Sequence, residues 1–257
     1  MIIVIQGLRE GAGSSFLAAN LAQLLALPTA LNPATEMMHA PSGEALDGAA
    51  VALIDADPGT GTFLTYWGRG PEVPSLGWVK AALSHEGLER VVIRPSTGFP
   101  LLFPMGDVSL ASESTDGTAD QAMAQLAAYL RILSIEHVVV DAGRLTSTWA
   151  ARWRAVADQV LTVVNPDHHA LINLLHYTPL ANERFVLNAV VPGAASAQRV
   201  MAFLDTQPHL ASHRLSTVIP LDESVRESGF RLERLVLSDP QAAAAEAVRE
   251  LTRDLVA

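Results

Sequence analysis

The sequence predicts an α/β protein in which helices cover both faces of a doubly wound, mostly parallel sheet. Apolar, β-branched runs alternate with helical patterns along the whole chain, which is the order of elements in such a sheet. The runs are continuously apolar, as expected for strands that are buried on both faces. No domain break or internal repeat interrupts this order, so we expect residues 1–257 to form a single domain.

Apolar runs and residue spacing place the individual elements. The predicted strands cover residues 2–5, 51–55, 90–95, 100–104, 137–143, 159–166, 184–191 and 214–220. The predicted helices cover residues 15–26, 75–84, 120–133, 146–157, 169–180, 197–206 and 239–256. Residues 27–49 are rich in Pro, Ala and polar side chains and predict a long surface insertion. The acidic residues 105–120 predict a loop or cap.

Composition excludes several classes of protein. Because 49% of the 257 residues are hydrophobic and 17% are charged, the chain can build a large core and is not disordered. No apolar run reaches the roughly 18 residues of a membrane span, and the first residues predict a strand and no signal peptide. The lack of cysteine excludes disulfides and thiolate metal sites and fits a cytoplasmic protein.

The charge balance restricts how the chain could bind phosphate. The formal net charge is -10, which disfavours a basic nucleic-acid-binding surface. Lys80 is the only lysine in the sequence. A phosphate-binding cation must therefore be an arginine or a metal ion, unless backbone N–H groups do the work.

A glycine-rich stretch follows the first predicted strand and leads into the first predicted helix. In a phosphate-binding loop, successive backbone N–H groups at a helix N-terminus surround the phosphates, and glycines permit the tight wrap. Gly7, Gly11 and Gly13 supply those glycines, and Ser15 stands where a hydroxyl ligand to magnesium would be. The usual ending Gly-Lys-Ser/Thr is replaced by Gly-Ser-Ser, so the lysine for the β- and γ-phosphates is missing.

This stretch admits two other interpretations. A plain glycine turn between a strand and a helix would need no ligand. A dinucleotide-binding fingerprint requires Gly or Ala at the position occupied by the bulky Phe16, which disfavours it.

The stretch "GLREGAGSSFLAANLA" resembles the deviant Walker A motif of the MinD/ParA group of P-loop NTPases. It is most similar to the BcsQ branch, the MinD-like proteins of bacterial cellulose synthesis, in which the motif is R-G-G-V-G-T-T. Arg9 and Ser14 fall on the two positions where that branch replaces lysine, and Glu10 replaces the first glycine. The resemblance implies a nucleotide site made of Arg9, Glu10, Gly11, Ala12, Gly13, Ser14, Ser15 and Phe16, with Ser15 also on magnesium.

Further motifs of the same family follow in family order. "VALIDADPGTG" places Asp57 on the aspartate that positions the attacking water and lies near magnesium. "HVVVDAGR" places Asp141 on the magnesium aspartate and Arg144 on the switch arginine. "VVNPDHHALINLL" is similar to the family's NP(E/D) segment.

The nucleotide base has its own set of matching residues. "FVLNAV" places Asn188 on the asparagine that contacts adenine. "VIPLDESV" places Pro220 and Asp222 where the family's backbone borders the base.

The resemblance also implies a function. Two subunits would enclose two ATP molecules, with magnesium, and Arg9 would reach the partner's nucleotide; ADP is the other expected ligand. Without the loop lysine, hydrolysis would be slow or absent, so the protein is at most a slow ATPase. It would act as a scaffold for the cellulose synthase complex, with subunits of that complex and small accessory Bcs proteins as partners. We expect it in the cytoplasm, at the inner membrane only through partners, and without nucleic acid.

Two alternatives belong to other classes. One is an active ParA/MinD-type positioning ATPase that cycles on DNA or membrane. The net charge disfavours DNA, and the tail "AVRELTRDLVA" lacks apolar anchors, so we expect it to dock on its own sheet. The other is a nucleotide-free pseudo-ATPase, which Glu10 favours because an acid repels phosphate unless it points away.

Each candidate residue also has a structural explanation. Asp55 and Asp57 could cap the next element, Arg9 could be solvated, Arg144 could pair with a local carboxylate, and Asn188 could end a strand. His168, His169 and His176 have no metal-ligand spacing and are predicted at the surface or in a cap, with the adjacent pair pointing apart. Trp149 and Trp153 are predicted in the core or at a partner interface.

Overall fold

Seven parallel strands form one sheet within the part of the chain that the computed structural model describes, which is residues 1–27, 51–57, 77–84, 87–93, 98–106 and 116–256. The strands are β1 (Ile2–Gly7), β2 (Val51–Asp55), β3 (Leu101–Phe103), β4 (His137–Arg144), β5 (Gln159–Val164), β6 (Glu183–Val190) and β7 (Arg214–Pro220). Their order across the sheet is β3-β2-β4-β1-β5-β6-β7. The predicted α/β fold class is confirmed.

Helices cover both faces of this sheet. They are α1 (Ser14–Ala26), α2 (Trp78–Leu83), α3 (Asp116–Ile132), α4 (Thr148–Val156), α5 (His168–Leu174), α6 (Ala195–Thr206), α7 (Pro208–Ala211), α8 (Glu223–Phe230), α9 (Leu235–Ser238) and α10 (Ala243–Val256). Side chains of α1, α9 and α10 share one apolar core, and those of α2, α3 and α4 share another. None of the described helices is both long and apolar enough to cross a membrane.

The continuous apolar strands are explained by this two-sided cover. Successive side chains of a strand point to opposite faces. In β1, Ile3 and Ile5 belong to the core under α1 and α10, whereas Val4 belongs to the core under α2, α3 and α4. All three side chains are fully buried.

The C-terminal helix α10 packs on its own domain, as expected for this tail. Its buried residues include Val248, Leu251 and Leu255, which join the core that α1 forms with the sheet. Thr217 of β7 also donates a hydrogen bond to Asp254, at 3.2 Å. The apolar stripe of the tail is therefore covered by the protein itself.

The strand predicted at 90–95 is wrong for the residues that the structure describes. Residues Leu88–Arg90 form a 3₁₀ turn, and Ile93 makes only an isolated antiparallel bridge with Leu102. Leu88 and Val91 are both buried and lie three residues apart, which is a helical and not a strand spacing. A short apolar run does not distinguish the two by itself.

Other element boundaries differ from the prediction by a few residues. Helix α3 begins at 116, inside the predicted loop 105–120, because Ala119 continues the buried stripe of Ala122 and Leu126. Helix α5 ends at Leu174, well before the predicted 180. The short helices α7, α8 and α9 were not predicted. Apart from Leu27, the predicted insertion at 27–49 lies outside the described residues.

A buried polar cluster joins α4 to the sheet. The fully buried carboxylate of Glu183 accepts hydrogen bonds from Thr162 at 2.5 Å and Tyr177 at 2.6 Å, and it pairs with Arg154 at 2.9 Å. Gln6, the residue before Gly7, donates to the same carboxylate at 3.3 Å. Burial and the neighbouring Glu183 carboxylate raise the pKa of Tyr177. The cluster therefore connects the end of β1 to β5, β6 and α4.

We predict that Arg154→Met lowers the free energy of unfolding by about 3–5 kcal/mol, because it leaves the Glu183 carboxylate buried without its cation. Denaturant titration would measure the change. Arg154→Met combined with Glu183→Gln should recover most of the loss, since no buried charge then remains. Arg226→Met is the control: Arg226 and its partner Glu223 are both about two-thirds exposed, so the loss should stay below about 1 kcal/mol. Equal losses from the two single variants would contradict the account.

Candidate functional site

The predicted site residues gather where parallel strands end. Strand β1 lies between β4 and β5, and β2 lies on the other side of β4. Asp141 of β4 is in register with Asp55 of β2 and with Ile5 of β1. Ligands of such sheets bind outside the carboxyl ends of the strands. The loop after β1 and the acidic residues of β2 and β4 thus share one edge of the sheet.

The loop after β1 ends in a conformation that suits an anion. Gly11 and Gly13 have positive φ angles of 73° and 97°, which side chains with a Cβ rarely adopt. Gly13 directly precedes α1, and no side chain caps the first turn of this helix. The first N–H groups of a helix have no partner within the helix, and together with its dipole they attract negative charge. The start of α1 is therefore a ready anion site.

Arg9 at the tip of the loop is paired and not simply solvated. Its Nη2 lies 2.8 Å from the Oδ2 atom of Asp167. Asp167 also accepts a hydrogen bond from the Ala170 N–H at 3.0 Å and so caps α5. Burial raises the pKa of Asp167, but the Ala170 N–H and the Arg9 charge outweigh burial and leave the pKa lowered. The motif "NPD" that contains Asp167 does not by itself indicate this pairing across the fold.

Glu10 points towards Arg144. Its Oε2 lies 3.9 Å from Nη1 of Arg144, and both side chains are more than half exposed. Such exposed pairs contribute little to stability. The arginine does pair with a local carboxylate, and the same contact directs the Glu10 charge to the arginine.

Asp141 is a buried carboxylate of the site, and its pKa is raised. The carboxylate is buried, its Oδ1 accepts the Gly143 N–H at 3.2 Å, and its Oδ2 has no hydrogen-bond partner among the described residues. Burial, followed by the charge of Asp57, raises the pKa of Asp141 to about 6, although the adjacent Ser15 and Ser14 hydroxyls and the Gly143 N–H lower it. The predicted metal residues Ser15, Asp57 and Asp141 are therefore close together.

Asp57 lies against the backbone of the Asp141 strand. Gly143 has a φ of 63°, and a Cβ at this position would overlap the Asp57 carboxylate. Gly143 thus leaves the space that Asp57 occupies. Nothing in the sequence singles out Gly143 except its place two residues after a strand-end aspartate.

Asp55 has a structural task beside them. Its Oδ1 accepts the Asp57 N–H at 3.1 Å and its Oδ2 accepts the Met105 N–H at 3.4 Å. Burial and the Asp141 charge raise its pKa well above the ordinary value. Its backbone carbonyl accepts the Trp78 indole N–H at 2.7 Å. Asp55 therefore fixes the turn that presents Asp57.

The tryptophans predicted in the core support this turn by packing on Trp78. Trp149 and Trp153 are buried and meet Trp78 edge to face, with ring centroids 5.4 and 6.1 Å apart.

Exposed His168 and His169 stack on each other with centroids 3.8 Å apart, so the prediction that they point apart is wrong. Adjacent rings at the start of a helix can turn to the same side, because no preceding turn restricts them.

The residues predicted to border a base are only partly brought to the loop. Asn188 is in contact with it: Nδ2 donates to the Ala12 carbonyl at 2.8 Å. Pro220 ends β7 opposite Val190 of β6. The Asp222 carboxylate accepts N–H groups of Ser224 at 2.9 Å and Ala244 at 3.1 Å, and the Ala244 bond is the main cause of its lowered pKa. Asp222 thus caps α8 and the start of α10, which leaves only its backbone for a base.

A magnesium ion suits the donor set better than a metal that needs a cage of protein ligands. No group of three or more His, Cys, Asp or Glu side chains that could hold a metal occurs in the described part of the chain. Magnesium is usually held by one or two carboxylates together with phosphate oxygens and waters. The unpartnered, buried Oδ2 of Asp141 beside two serine hydroxyls fits that pattern.

Comparison of structures identifies the fold. The chain is similar to a chain of the MinC:MinD cell division protein complex from Aquifex aeolicus, at 19% identity and a TM-score of 0.72, over 99% of this chain and 95% of that one. A putative plasmid partition protein from Borrelia burgdorferi bound to AMPPNP gives 14% identity and a TM-score of 0.73, over 99% of each chain. MinD complexed with Mg-ADP from Pyrococcus horikoshii gives 17% identity and a TM-score of 0.68, over 100% of this chain and 96% of that one.

Comparison of sequences identifies the family. None of the proteins of curated function is similar enough in sequence to count as a relative. The model of the family "Cellulose biosynthesis protein BcsQ" matches residues 35–254, which include β2, β4 and the strand-end residues but not the glycine loop. The fold is that of the MinD/ParA-like P-loop NTPases, and the chain belongs to the BcsQ family of cellulose biosynthesis proteins.

Proposed function

We propose that this protein binds ATP or ADP with magnesium, forms a homodimer around ATP, and serves as a scaffold for a cellulose synthase complex. The observation that carries the proposal is the uncapped start of α1, reached through Gly13 and placed beside the unpartnered Oδ2 of Asp141. One feature supplies donors for phosphate and the other an acceptor for a cation. Nucleotides bound to MinD from Pyrococcus horikoshii and to the Borrelia partition protein support this assignment by analogy.

Loop residues 9–16 and the strand-end residues divide the work. Backbone N–H groups of the loop would hold the phosphates, and Ser15 with Asp141 would hold magnesium. Magnesium would neutralise phosphate charge in place of the missing lysine. Asp57, held over Gly143, would orient a water near the same edge. An arginine that stabilises the transferred phosphoryl group contributes about 10³–10⁵ to the rate in related enzymes, so a loop without its lysine should turn over slowly.

Arg9 is the residue proposed to connect nucleotide and dimer. In the single chain its guanidinium is held by Asp167 at 2.8 Å, at the surface next to α5. A guanidinium can hold phosphate oxygens through two parallel hydrogen bonds. The proposed sequence of events is that Arg9 leaves Asp167 and binds the triphosphate of the second subunit. Arg144, now paired with Glu10, would remain beside the same loop.

The scaffold role rests on the family and on the protein's charge. The net charge of -10 and the covered apolar stripe of α10 disfavour direct binding to nucleic acid or to a membrane. We propose that the chain acts as one domain in the cytoplasm. Its partners would be the synthase subunits and small accessory Bcs proteins, through which it would reach the inner membrane.

We predict that Mg-AMPPNP doubles the mass of the wild-type protein in solution and that Arg9→Ala weakens this dimer by about tenfold to a hundredfold, because a charge-assisted hydrogen bond to phosphate is lost. Light scattering over a concentration series would measure the dimer dissociation constant. Arg226→Ala is the control, since Arg226 is exposed and pairs only with the exposed Glu223 among the described residues. Unchanged dimerisation of Arg9→Ala would refute the role in trans.

We predict that Asp141→Asn raises the free energy of unfolding of the ligand-free protein by about 2–3 kcal/mol at pH 7.5, and by much less near pH 4. The pKa of Asp141 is raised from 3.8 to about 6, so the folded state holds a proton that the unfolded state releases between these values. The wild type therefore loses stability as pH rises from 3.8 through 6, and the neutral amide does not.

Denaturant titrations at the two pH values would measure this difference. Mg-ADP should stabilise the wild type at pH 7.5 and stabilise Asp141→Asn much less, because the amide cannot replace a carboxylate on magnesium. Asp120→Asn, on the exposed side of α3, should change neither property. A pH-independent effect of Asp141→Asn would show that its carboxyl is not held in a raised-pKa environment.

We predict that Ser14→Lys raises the rate of phosphate release from Mg-ATP by at least about tenfold, because it returns a cation to the position where the loop lacks one. Steady-state phosphate assays would compare it with the wild type and with Ser14→Ala, which removes the hydroxyl without adding charge and should stay slow. Adding Asp57→Ala to Ser14→Lys should reverse the gain. Rapid turnover by the wild type itself would favour the alternative of an active positioning ATPase.

A further inference from the structure

The side chain of Asn188 bridges the base side of the site and the phosphate loop. Its Nδ2 lies 2.8 Å from the carbonyl oxygen of Ala12, across 176 positions of sequence. A carbonyl oxygen can only accept, so the amide must present its NH₂ group to the loop, and its orientation is fixed by chemistry.

The next residue of the loop is shaped around the same amide. Gly13 adopts a φ of 97°, and a Cβ at this position would overlap the Asn188 amide nitrogen. Asn188 therefore contacts two successive residues, Ala12 through a hydrogen bond and Gly13 through packing. Both precede the first turn of α1.

The hydrogen bond to Ala12 determines where the Gly13 N–H points. In a trans peptide the C=O and N–H groups point in opposite directions, and the described residues contain no cis peptide. With the Ala12 carbonyl turned to Asn188, the Gly13 N–H is turned away from β6. Because no side chain caps the start of α1, this peptide is set from outside the helix.

The strand that carries Asn188 is locally distorted. Its pairing with β7 is irregular between Leu187 and Val190, and Ala189 has a φ of 57°, which is rare and unfavourable for a residue with a Cβ. Irregular pairing of this kind re-aims side chains out of the regular alternation. The distortion lies next to the residue that contacts the loop.

We infer that Asn188 is a positioning residue for the phosphate-binding loop, and that this role is separate from any contact with a base. The inference rests on the proposed function in one respect, namely that the loop takes phosphate. Removing the amide would then weaken binding of a bare phosphate chain as much as binding of a nucleotide. A side chain that only contacts adenine would leave the phosphate chain unaffected.

Calorimetric titration with Mg-ATP and with magnesium tripolyphosphate tests this directly. Asn188→Ala should raise the dissociation constants of both ligands by the same factor, about fivefold to tenfold, as expected for one lost hydrogen bond. Asn182→Ala is the matched control: its Nδ2 also donates to a backbone carbonyl, that of Ala157, at 2.8 Å, and Asn182 directly precedes the opposite end of the same strand. A loss for Mg-ATP with unchanged tripolyphosphate binding would overturn the inference.

A second measurement separates this inference from the proposed function. Amide NMR of the ligand-free proteins should show shifted or faster-exchanging N–H signals for Gly11, Gly13 and Ser14 in Asn188→Ala, and native signals in Asn182→Ala. If the wild type binds neither ligand while these signals change, the proposed function is wrong, but the inference that Asn188 positions the loop is supported. Unchanged loop signals in a folded Asn188→Ala would overturn the inference whatever the ligands do.

Discussion

The parallel pairing of β1 with β4 positions the two halves of the candidate site. It places the loop after β1 beside the end of β4, so that the start of α1 and the Asp141 carboxylate face the same space. A shift of this pairing by one residue would put either Asp141 or Ile5 on the wrong face of the sheet. The two apolar cores under the helices hold the register, since Ile3 and Val4 are buried on opposite sides.

The site concentrates negative charge and then compensates it in different ways. Asp55 and Asp141 are buried on neighbouring strands, and burial raises the pKa of both. The Asp141 charge raises the pKa of Asp55 further, and the Asp57 charge raises the pKa of both groups. Hydrogen bonds from backbone N–H groups satisfy both oxygens of Asp55, whereas Asp141 keeps one oxygen without a partner among the described residues. A buried carboxylate oxygen in that condition is unfavourable for a resting protein and useful for one that takes up a cation.

The arginines of the loop region show how a chain with one lysine arranges its cations. Arg9 and Arg144 are each held by a carboxylate in the single chain, at 2.8 and 3.9 Å respectively. Glu10, whose charge alone would repel phosphate, is directed to Arg144. The exposed pairs are weak, so a bound triphosphate could compete with the carboxylates for both guanidinium groups.

Sequence patterns could predict the sheet, the glycine loop and the strand-end aspartates, because these depend on local spacing and on continuous apolar runs such as residues 2–5 and 51–55. They could not predict the pairing of Arg9 with Asp167 or of Asn188 with Ala12, which join residues more than 150 positions apart and exist only in the folded chain. The strand predicted at 90–95 is wrong for a local reason: six apolar and charged residues do not distinguish a strand from a helical turn.

Calorimetric titration of the wild-type protein with Mg-ATP tests whether the glycine loop binds nucleotide. We expect one ATP per chain, together with a higher melting temperature, since a ligand at 100 times its Kd adds about 2.7 kcal/mol of stability. Gly13→Ala should weaken this binding, because a Cβ there is strained and overlaps Asn188. A wild-type protein that gives neither binding heat nor a melting shift with millimolar Mg-ATP or Mg-ADP would contradict the account and leave an interaction module without a nucleotide.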